Sequence, residues 1–256
     1  MNNKSTHKIA LITGATSGIG KSTAEIFAKN GINLIICGRR EERLLELKNK
    51  LSKFVKVHHL AFDVRSKEKV FESIKSLPKE FATIDILINN AGNAHGMHSF
   101  EDADLNDFEM MIDINLKGVI YVSKIVVPQM IERKTGHIIN IGSIAGKEVY
   151  PNGQVYCASK HAVDALSEGM RIDLHKHNIK VSAIHPGLVN TEFSLVRFKG
   201  DSERASAVYK GYQPLNAEDV ADAIYFMVSR PSHVNIADMI IFPTAQANST
   251  IVKKEV

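Results

Sequence analysis

The sequence predicts an α/β protein with a single doubly wound, parallel sheet of about seven strands and helices on both faces. Short, continuous apolar segments alternate along the chain with longer segments whose apolar residues recur at helical spacing. The short segments lack the polar–apolar alternation of a half-exposed strand, as expected when helices cover both faces of a parallel sheet. Repeated β-α units also favour right-handed crossovers and a ligand site at the carboxyl ends of the strands.

Each element follows from its own stretch of sequence. The predicted strands are KIALIT (8–13), NLIICG (33–38), VKVHHLAF (55–62), DILIN (85–89), HIINIG (137–142), KVSAIH (180–185) and the later apolar segment MIIF (239–242). The predicted helices span about 19–30, 41–53, 67–77, 105–131, 154–177 and 218–228. Gly31 and Pro78 end the first and third of these helices, because glycine and proline interrupt helical hydrogen bonding.

Composition excludes several classes of protein. Of the 256 residues 44% are hydrophobic and 23% are charged, which is typical of a globular chain, and we expect one domain over 1–256. The net charge of +4 is mild and no basic cluster is interleaved with aromatic residues, so nucleic-acid binding is not expected. No apolar stretch has the length of a membrane span or a secretory leader, so we expect a cytoplasmic protein that does not bind membranes.

Metal binding is also not expected. The two cysteines, Cys37 and Cys157, lie far apart and match no zinc-binding spacing. The eleven histidines have no carboxylate or cysteine partners at ligand spacing, which favours surface or structural roles for them.

A glycine-rich segment, TGATSGIG (13–20), lies between the first strand and the first helix. Gly14, Gly18 and Gly20 permit a tight turn and a close backbone approach, and the helix amino terminus favours an anion. Either this is a plain βα turn, or it binds the pyrophosphate of a dinucleotide; its position favours the second interpretation.

The second strand ends in CGRR, with Arg39 and Arg40 where an NAD-binding protein usually has an acid. Guanidinium groups bind a 2′-phosphate, so the sequence favours NADP, and a solvated arginine pair is the alternative. Asp63 and Asn90 follow the third and fourth strands at the same edge of the sheet. There Asp63 is suited to accept a hydrogen bond from the adenine amino group, and Asn90 is suited to bind the protein backbone or a cofactor ribose.

Tyr156 and Lys160 are four residues apart, which places them on one face of the predicted helix 154–177. An ammonium group beside a phenol lowers the pKa of the phenol, so this pair suits proton transfer. The same spacing also arises in an ordinary amphipathic helix with an exposed lysine, and the pair alone does not separate the two.

The motifs TGATSGIG, NNAG (89–92), Asn115, Ser143 in GSIAG, Tyr156-x-x-x-Lys160 and HPG (185–187) together resemble the short-chain dehydrogenase/reductase family over about residues 8–245. The resemblance implies a Rossmann-type fold and a catalytic set of Asn115, Ser143, Tyr156 and Lys160. Tyr156 would be the acid/base, with its pKa lowered by Lys160 and by the positive nicotinamide of the oxidised cofactor. Ser143 would bind the substrate oxygen, and Asn115 would distort its helix turn and complete a proton relay. The family resemblance further implies that the following residues contact the cofactor: Gly14, Thr16, Ser17, Gly18, Ile19, Gly20, Arg39, Arg40, Asp63, Val64, Asn90, Ala91, Gly92, Tyr156, Lys160, Pro186, Gly187, Val189 and Thr191.

Within that family the chain is similar to the NADP-dependent 3-hydroxy acid dehydrogenases. The similar stretches are GRREERLLELK (38–48), AHGM (94–97), DLH (173–175), TEFSLVRFKGD (191–201) and HVNIADMIIFPTAQ (233–246). FPTAQ stands where the 3-oxoacyl-carrier-protein reductases have V-D-G-G. This difference disfavours a substrate attached to a carrier protein. Asn190, before Thr191, stands where close relatives tend to be glycine-rich and are sometimes one residue longer, so the exact shape of the lid is not predicted. The resemblance implies small 3-hydroxy acids as substrates, such as serine, allo-threonine and 3-hydroxypropanoate, and a homotetramer built through the two long helices.

The segment 190–214 follows the sixth strand and is predicted to be a substrate lid. A carboxylate substrate under a lid needs a cation, and Arg197 is our candidate, with Lys147 as the second choice. A solvated arginine is the alternative for Arg197.

The sequence is also compatible with two other functions: a broad NADPH-dependent reductase of neutral carbonyls, and a non-enzymatic NADP-binding regulator.

Overall fold

A computed structural model describes residues 8–255, and within them seven parallel strands form one sheet. In chain order the strands are β1 (Ile9–Ile12), β2 (Asn33–Gly38), β3 (Val57–Ala61), β4 (Ile86–Asn89), β5 (Gly136–Ile141), β6 (Ile179–Pro186), β7 (Val189–Asn190), β8 (Leu215–Asn216) and β9 (Asp238–Ile241). The sheet has the order β3-β2-β1-β4-β5-β6-β9, while β7 and β8 pair with each other. The predicted fold class is confirmed. The predicted domain, 1–256, extends beyond the described residues at both ends.

The helices follow the strands in regular alternation. They are α1 (Gly18–Lys29), α2 (Glu41–Leu51), α3 (Lys67–Lys75), α4 (Leu105–Ile112), α5 (Gly118–Arg133), α6 (Gln154–Leu174), α7 (Phe193–Arg197), α8 (Ser202–Ala207) and α9 (Ala217–Val228). Among residues 8–255, no helix is both long enough and apolar enough to cross a membrane.

Each face of the sheet has its own apolar core. Ala10 and Ile12 of β1 pack with α1, α2 and α9, whereas Ile9 and Leu11 pack with α3 and α5 on the opposite face. All four β1 residues are buried, because successive side chains of a strand point to opposite faces and both faces are covered here. This double burial is the physical reason for the continuous apolar strands in the sequence.

The structure divides the predicted helix 105–131 into three parts. A π-helical turn, Asp113–Lys117, joins α4 to α5, and α5 continues to Arg133, where Lys134 adopts a left-handed φ of 52°. In the predicted helix 154–177, the α-helix ends at Leu174 and a 3₁₀ turn continues to His177. The segment 190–214 is not a plain loop, since it contains β7, α7 and α8.

Candidate active site

The carboxyl ends of the strands surround a cavity of about 310 Å³. Most of the predicted cofactor residues line it: Gly14, Thr16, Ser17, Gly18, Ile19, Arg39, Arg40, Asp63, Val64, Asn90, Ala91, Gly92, Tyr156, Lys160, Pro186, Gly187, Val189 and Thr191. Ser143 lines it as well, at the end of β5. One cavity therefore contains the glycine-rich turn, the arginine pair and the proton-transfer residues.

The glycine-rich turn needs glycine for two different reasons. Gly14 and Gly18 have φ values of 65° and 52°, a left-handed conformation in which a side chain is strained. Gly20 does not line the cavity; a Cβ there would collide with the side-chain amide of Asn90 and the carbonyl of Gly14. Asn90 in turn donates to the carbonyls of Thr13 (2.9 Å) and Gly14 (3.1 Å), so its amide braces the backbone of the turn.

The two arginines after β2 behave differently. Arg40 donates to Thr16 Oγ1 (2.8 Å) and Ser17 Oγ (3.0 Å), so it lies across the glycine-rich turn. The Arg39 side chain is 61% exposed, and its Nη1 lies 3.9 Å from Asp63 Oδ2. Asp63 accepts from the Arg65 side chain (2.7 Å), and these contacts outweigh burial and hold the Asp63 pKa below its usual value. A carboxylate with a low pKa stays ionised and is an acceptor only.

Tyr156 and Lys160 lie on the buried face of α6, with relative exposures of 8% and 6%. Burial lowers the pKa of Lys160 to about 8, and its ammonium donates to the carbonyl of Ile141 (2.8 Å). Burial, followed by the neighbouring Tyr150, raises the pKa of Tyr156, whereas Arg197 and a hydrogen bond with Ser143 lower it. Among these effects burial dominates and holds the Tyr156 pKa above its usual value, and a lowering by Lys160 and the oxidised cofactor together stays a prediction.

Asn115 is buried within the π-helical turn and does not line the cavity. Its Oδ1 accepts from the Asn93 amide (2.8 Å), and its Nδ2 donates to the Asn93 carbonyl (2.8 Å) and to Ser159 Oγ (3.0 Å). Ser159 Oγ donates to the Tyr156 carbonyl (2.8 Å). Asn115 therefore ties the loop after β4 to the helix that carries Tyr156.

The short helix α7 places Arg197 beside Tyr156. The Arg197 guanidinium carbon lies 4.9 Å from the Tyr156 ring centroid and 5.2 Å from that of Phe193. Its Nη2 donates to the Tyr150 hydroxyl (2.8 Å). Arg197 and Tyr156 both line a smaller cavity next to the main one, together with His95 and Met111. A guanidinium group and a buried phenol thus border one small space.

Comparisons with known proteins agree with this geometry. The family model described as short chain dehydrogenase matches residues 8–200. The chain belongs to the short-chain dehydrogenase family.

An NADP-dependent 3-hydroxy acid dehydrogenase of Salmonella typhi is 45% identical over 93% of this chain and 96% of that protein. Sulfoacetaldehyde reductase 2 of Chromohalobacter salexigens is 44% identical over 93% of this chain and 95% of that protein. A closed form of serine dehydrogenase complexed with NADP⁺ matches with a TM-score of 0.91 and 43% identity, covering 97% of this chain and 100% of that chain. The family predicted from the motifs is confirmed.

Several cavity residues of this short-chain dehydrogenase were not among the predicted contacts. Glu192, Phe193 and Val196 from the lid and Asn93 from the loop after β4 line the main cavity, and Tyr150 holds Arg197. The sequence signals for Glu192, Phe193 and Val196 were their place after the sixth strand and their position in the stretch TEFSLVRFKGD (191–201). Tyr150 and Asn93 had no signal of their own, because their positions depend on how two distant loops pack together.

Lys147, our second choice for binding the substrate carboxylate, is engaged elsewhere in this dehydrogenase. Its ammonium lies 2.9 Å from Asp164 and 2.6 Å from Asp238, and it does not line the cavity. His185 Nε2 lies 2.8 Å from Asp238, so His185, Asp164 and Asp238 form a group with the residue types of a metal site, which the histidine spacing had not indicated. The single positive charge of Lys147 contacts both carboxylates and offsets one of their two negative charges.

Proposed function

We propose that this dehydrogenase transfers a hydride between NADP(H) and the 3-hydroxyl or 3-oxo group of a small 3-hydroxy acid. Serine, allo-threonine and the 3-hydroxypropanoate/malonic semialdehyde pair are the substrates of this type. The observation that carries the proposal is the stacking of the Arg197 guanidinium over Tyr156, 4.9 Å from its ring centroid. This places an anion-binding group next to the proposed acid/base, and the names of the relatives agree with both the cofactor and the substrate class.

The cavity fits NADP on the evidence of its own residues. Gly14 and Gly18 present backbone in a conformation that leaves room for a pyrophosphate at the amino terminus of α1. Arg40 lies at the rim beside Thr16, where a guanidinium suits a 2′-phosphate. Lys160 lines the same cavity beside Tyr156, and the family resemblance implies that it contacts the cofactor. The bound cofactor would supply or accept the hydride.

The protein's own residues would move the proton. We assign the proton transfer to the Tyr156 hydroxyl, which exchanges a proton with the substrate oxygen during oxidation or reduction. Ser143 would donate a hydrogen bond to the same oxygen and stabilise the charge that develops there. Lys160, held by the Ile141 carbonyl, keeps an ammonium near this centre, and Asn115 holds the surrounding loop. Burial of Tyr156 and Lys160 excludes water from the reacting atoms.

Arg197 would select an anionic substrate. Its guanidinium presents donors in a fixed fork that matches a carboxylate. A sulfonate also offers oxygens to such a fork, and the similar sulfoacetaldehyde reductase makes a small sulfonate aldehyde a second candidate substrate. Reduction of neutral ketones or aldehydes is the principal alternative, and an NADP-binding regulator without turnover is the other.

An NADP-linked assay panel tests the proposal. The panel contains L-serine, the allo-threonine stereoisomers, 3-hydroxypropanoate, sulfoacetaldehyde in the reductive direction, and a neutral alcohol of similar size. We expect the 3-hydroxy acids to have the highest kcat/KM. Preference for the neutral alcohol would favour the broad reductase, and NADP binding without turnover on any compound would favour the regulator.

Three further features belong to the same proposal. We expect a single catalytic domain over 1–256 with a lid at 190–214, a homotetramer, and a cytoplasmic location. The exposed Ile120 of α5 and Ile172 of α6 support the expected assembly through the two long helices. The unpaired, buried thiols of Cys37 and Cys157 suit a reducing compartment. Light scattering on the purified chain and fractionation of the source cells test assembly and location.

A further inference from the structure

The carboxylate of Glu192 lies between two arginines at the outer end of the main cavity. Arg40 Nη1 is 2.9 Å from Glu192 Oε2, and Arg43 Nη1 is 2.8 Å from Oε1 and 3.0 Å from Oε2. The remaining donors of Arg40 contact Thr16 and Ser17 of the glycine-rich turn. Two guanidinium groups thus converge on one anion that belongs to the protein itself.

The same pair of arginines suits a phosphate monoester. Such a group carries about −1.5 to −2 charges at pH 7 and three acceptor oxygens, whereas a carboxylate carries one charge and two oxygens. The side chains of Arg40, Arg43 and Glu192 are 43%, 44% and 42% exposed. Exposed ion pairs contribute little free energy, so a more highly charged ligand can replace the carboxylate.

Glu192 is also directly joined to the substrate lid. It immediately precedes α7, and its carbonyl accepts from the Val196 amide (3.0 Å). The next residue, Phe193, packs against the Tyr156 ring at a centroid distance of 5.6 Å, and Arg197 stacks on Phe193. A displacement of Glu192 would therefore act on the helix that carries the proposed anion-binding residue.

We propose that Glu192 is a specificity-determining residue that competes with the 2′-phosphate of NADP for the Arg40–Arg43 pair, and that the phosphate releases the start of the lid helix when it binds. Arg43, which the sequence did not single out, thereby becomes a second ligand of the phosphate. NAD has no 2′-phosphate and leaves Glu192 in place. The inference rests on the proposed use of NADP and adds how the lid distinguishes the two nucleotides.

Nucleotide fragments separate this exchange from turnover. Binding of 2′,5′-ADP and of 5′-AMP is measured by calorimetry on the wild-type chain, on Glu192→Gln and on Glu46→Gln. Glu46 is exposed on α2, one turn from Arg43. Glu46→Gln therefore removes the same charge near the arginines without removing an ion pair to Arg40 or Arg43. Arg43→Gln tests the second phosphate ligand.

We expect Glu192→Gln to bind 2′,5′-ADP about three- to tenfold more tightly, with an unchanged affinity for 5′-AMP, because a competing anion has been removed. Glu46→Gln should match the wild type, and Arg43→Gln should weaken 2′,5′-ADP alone. An affinity for 2′,5′-ADP that is the same in Glu192→Gln and the wild type would overturn the inference. If neither the wild type nor the variants prefer 2′,5′-ADP over 5′-AMP, the proposed NADP dependence itself fails.

Hydrogen exchange of the α7 amides measures the effect on the lid. In the wild type, 2′,5′-ADP should accelerate exchange over residues 193–199, and 5′-AMP should not. In Glu192→Gln these amides should exchange rapidly without a ligand and respond to neither fragment. Tight binding of 2′,5′-ADP by the wild type with no change in α7 exchange would show that Glu192 is not displaced, and would reject the coupling.

Discussion

The Arg197 guanidinium stacks over the ring of Tyr156, 4.9 Å from its centroid, and donates a 2.8 Å hydrogen bond to the hydroxyl of Tyr150. Within residues 8–255, its Nε is buried and has no hydrogen-bond partner. The same cation opposes the effect of burial on the Tyr156 pKa. Arg197 therefore connects the proposed recognition of the substrate with the proposed acid/base residue.

Arg197→Ala should raise KM for serine or 3-hydroxypropanoate about 10- to 100-fold, because a charge-assisted hydrogen bond to the substrate is lost. KM for a neutral alcohol of similar size should change little. Steady-state kinetics on both substrates measure the difference. Arg204→Ala is the matched control, since Arg204 also lies in the lid segment but stacks on Phe198. Equal effects of Arg197→Ala on charged and neutral substrates would contradict the assignment.

Tyr156→Phe should lower kcat by about 10²- to 10⁴-fold, because only the proton-transferring hydroxyl is removed. The ring contacts with Phe193 and Arg197 remain, so NADPH binding and thermal stability should stay close to those of the wild type. Fluorescence titration of NADPH and thermal melts measure these properties. Tyr121→Phe, on α5, controls for loss of a phenol elsewhere. Activity of Tyr156→Phe near that of the wild type would exclude Tyr156 as the acid/base.

The sequence predicted the elements of this site better than the contacts between them. Strand-helix alternation and the glycine-rich turn are local patterns, so β1, α1 and the cavity beside them were predictable. The stacking of Arg197 on Tyr156 was not, because it depends on how α7, reached after β7, packs on α6. Lys147 was a plausible carboxylate ligand from its distance to Ser143 along the chain. The fold instead turns it toward Asp164 and Asp238.

Two residues of the predicted site, Gly20 and Asn115, have structural roles that their spacing in the sequence does not reveal. Gly20 belongs to the glycine pattern, yet it is needed where α1 passes close to the Asn90 side chain rather than at the cavity surface. Asn115 was expected to distort a helix turn, and it lies in a π-helical turn. Its hydrogen bonds to Asn93, however, join segments 22 residues apart and follow only from the tertiary structure.

Asn115→Ala should reduce both stability and turnover. The amide and carbonyl of Asn93 would lose their partners in a buried region, and each unsatisfied group costs about 1–3 kcal/mol. Urea unfolding measures the loss of stability, and kcat reports the displaced loop. Asn106→Ala, an exposed asparagine whose side chain contacts Asp104, should have a much smaller effect on both. An Asn115→Ala chain as stable as the wild type would mean that these hydrogen bonds contribute nothing net.

Lys160→Met should stabilise the folded chain at pH 7 while abolishing turnover. Burial lowers the folded-state pKa of Lys160 from 10.5 to about 8, so below pH 8 the folded protein carries the full cost of a buried ammonium. That shift corresponds to about 3 kcal/mol, partly offset by about 1 kcal/mol for the lost hydrogen bond to Ile141.

The pH dependence of Lys160→Met gives the sign of the effect independently. Between pH 8 and 10.5 the unfolded wild type binds more protons at this lysine than the folded one, so the wild type gains stability as the pH rises. The advantage of Lys160→Met should therefore be constant below pH 8, shrink above it and be lost before pH 10.5. Urea unfolding at several pH values measures this difference, and Lys21→Met, which removes an exposed lysine, should show no such trend. A variant that is less stable than the wild type at pH 7 would show that the ammonium of Lys160 is better solvated by its neighbours than its burial implies.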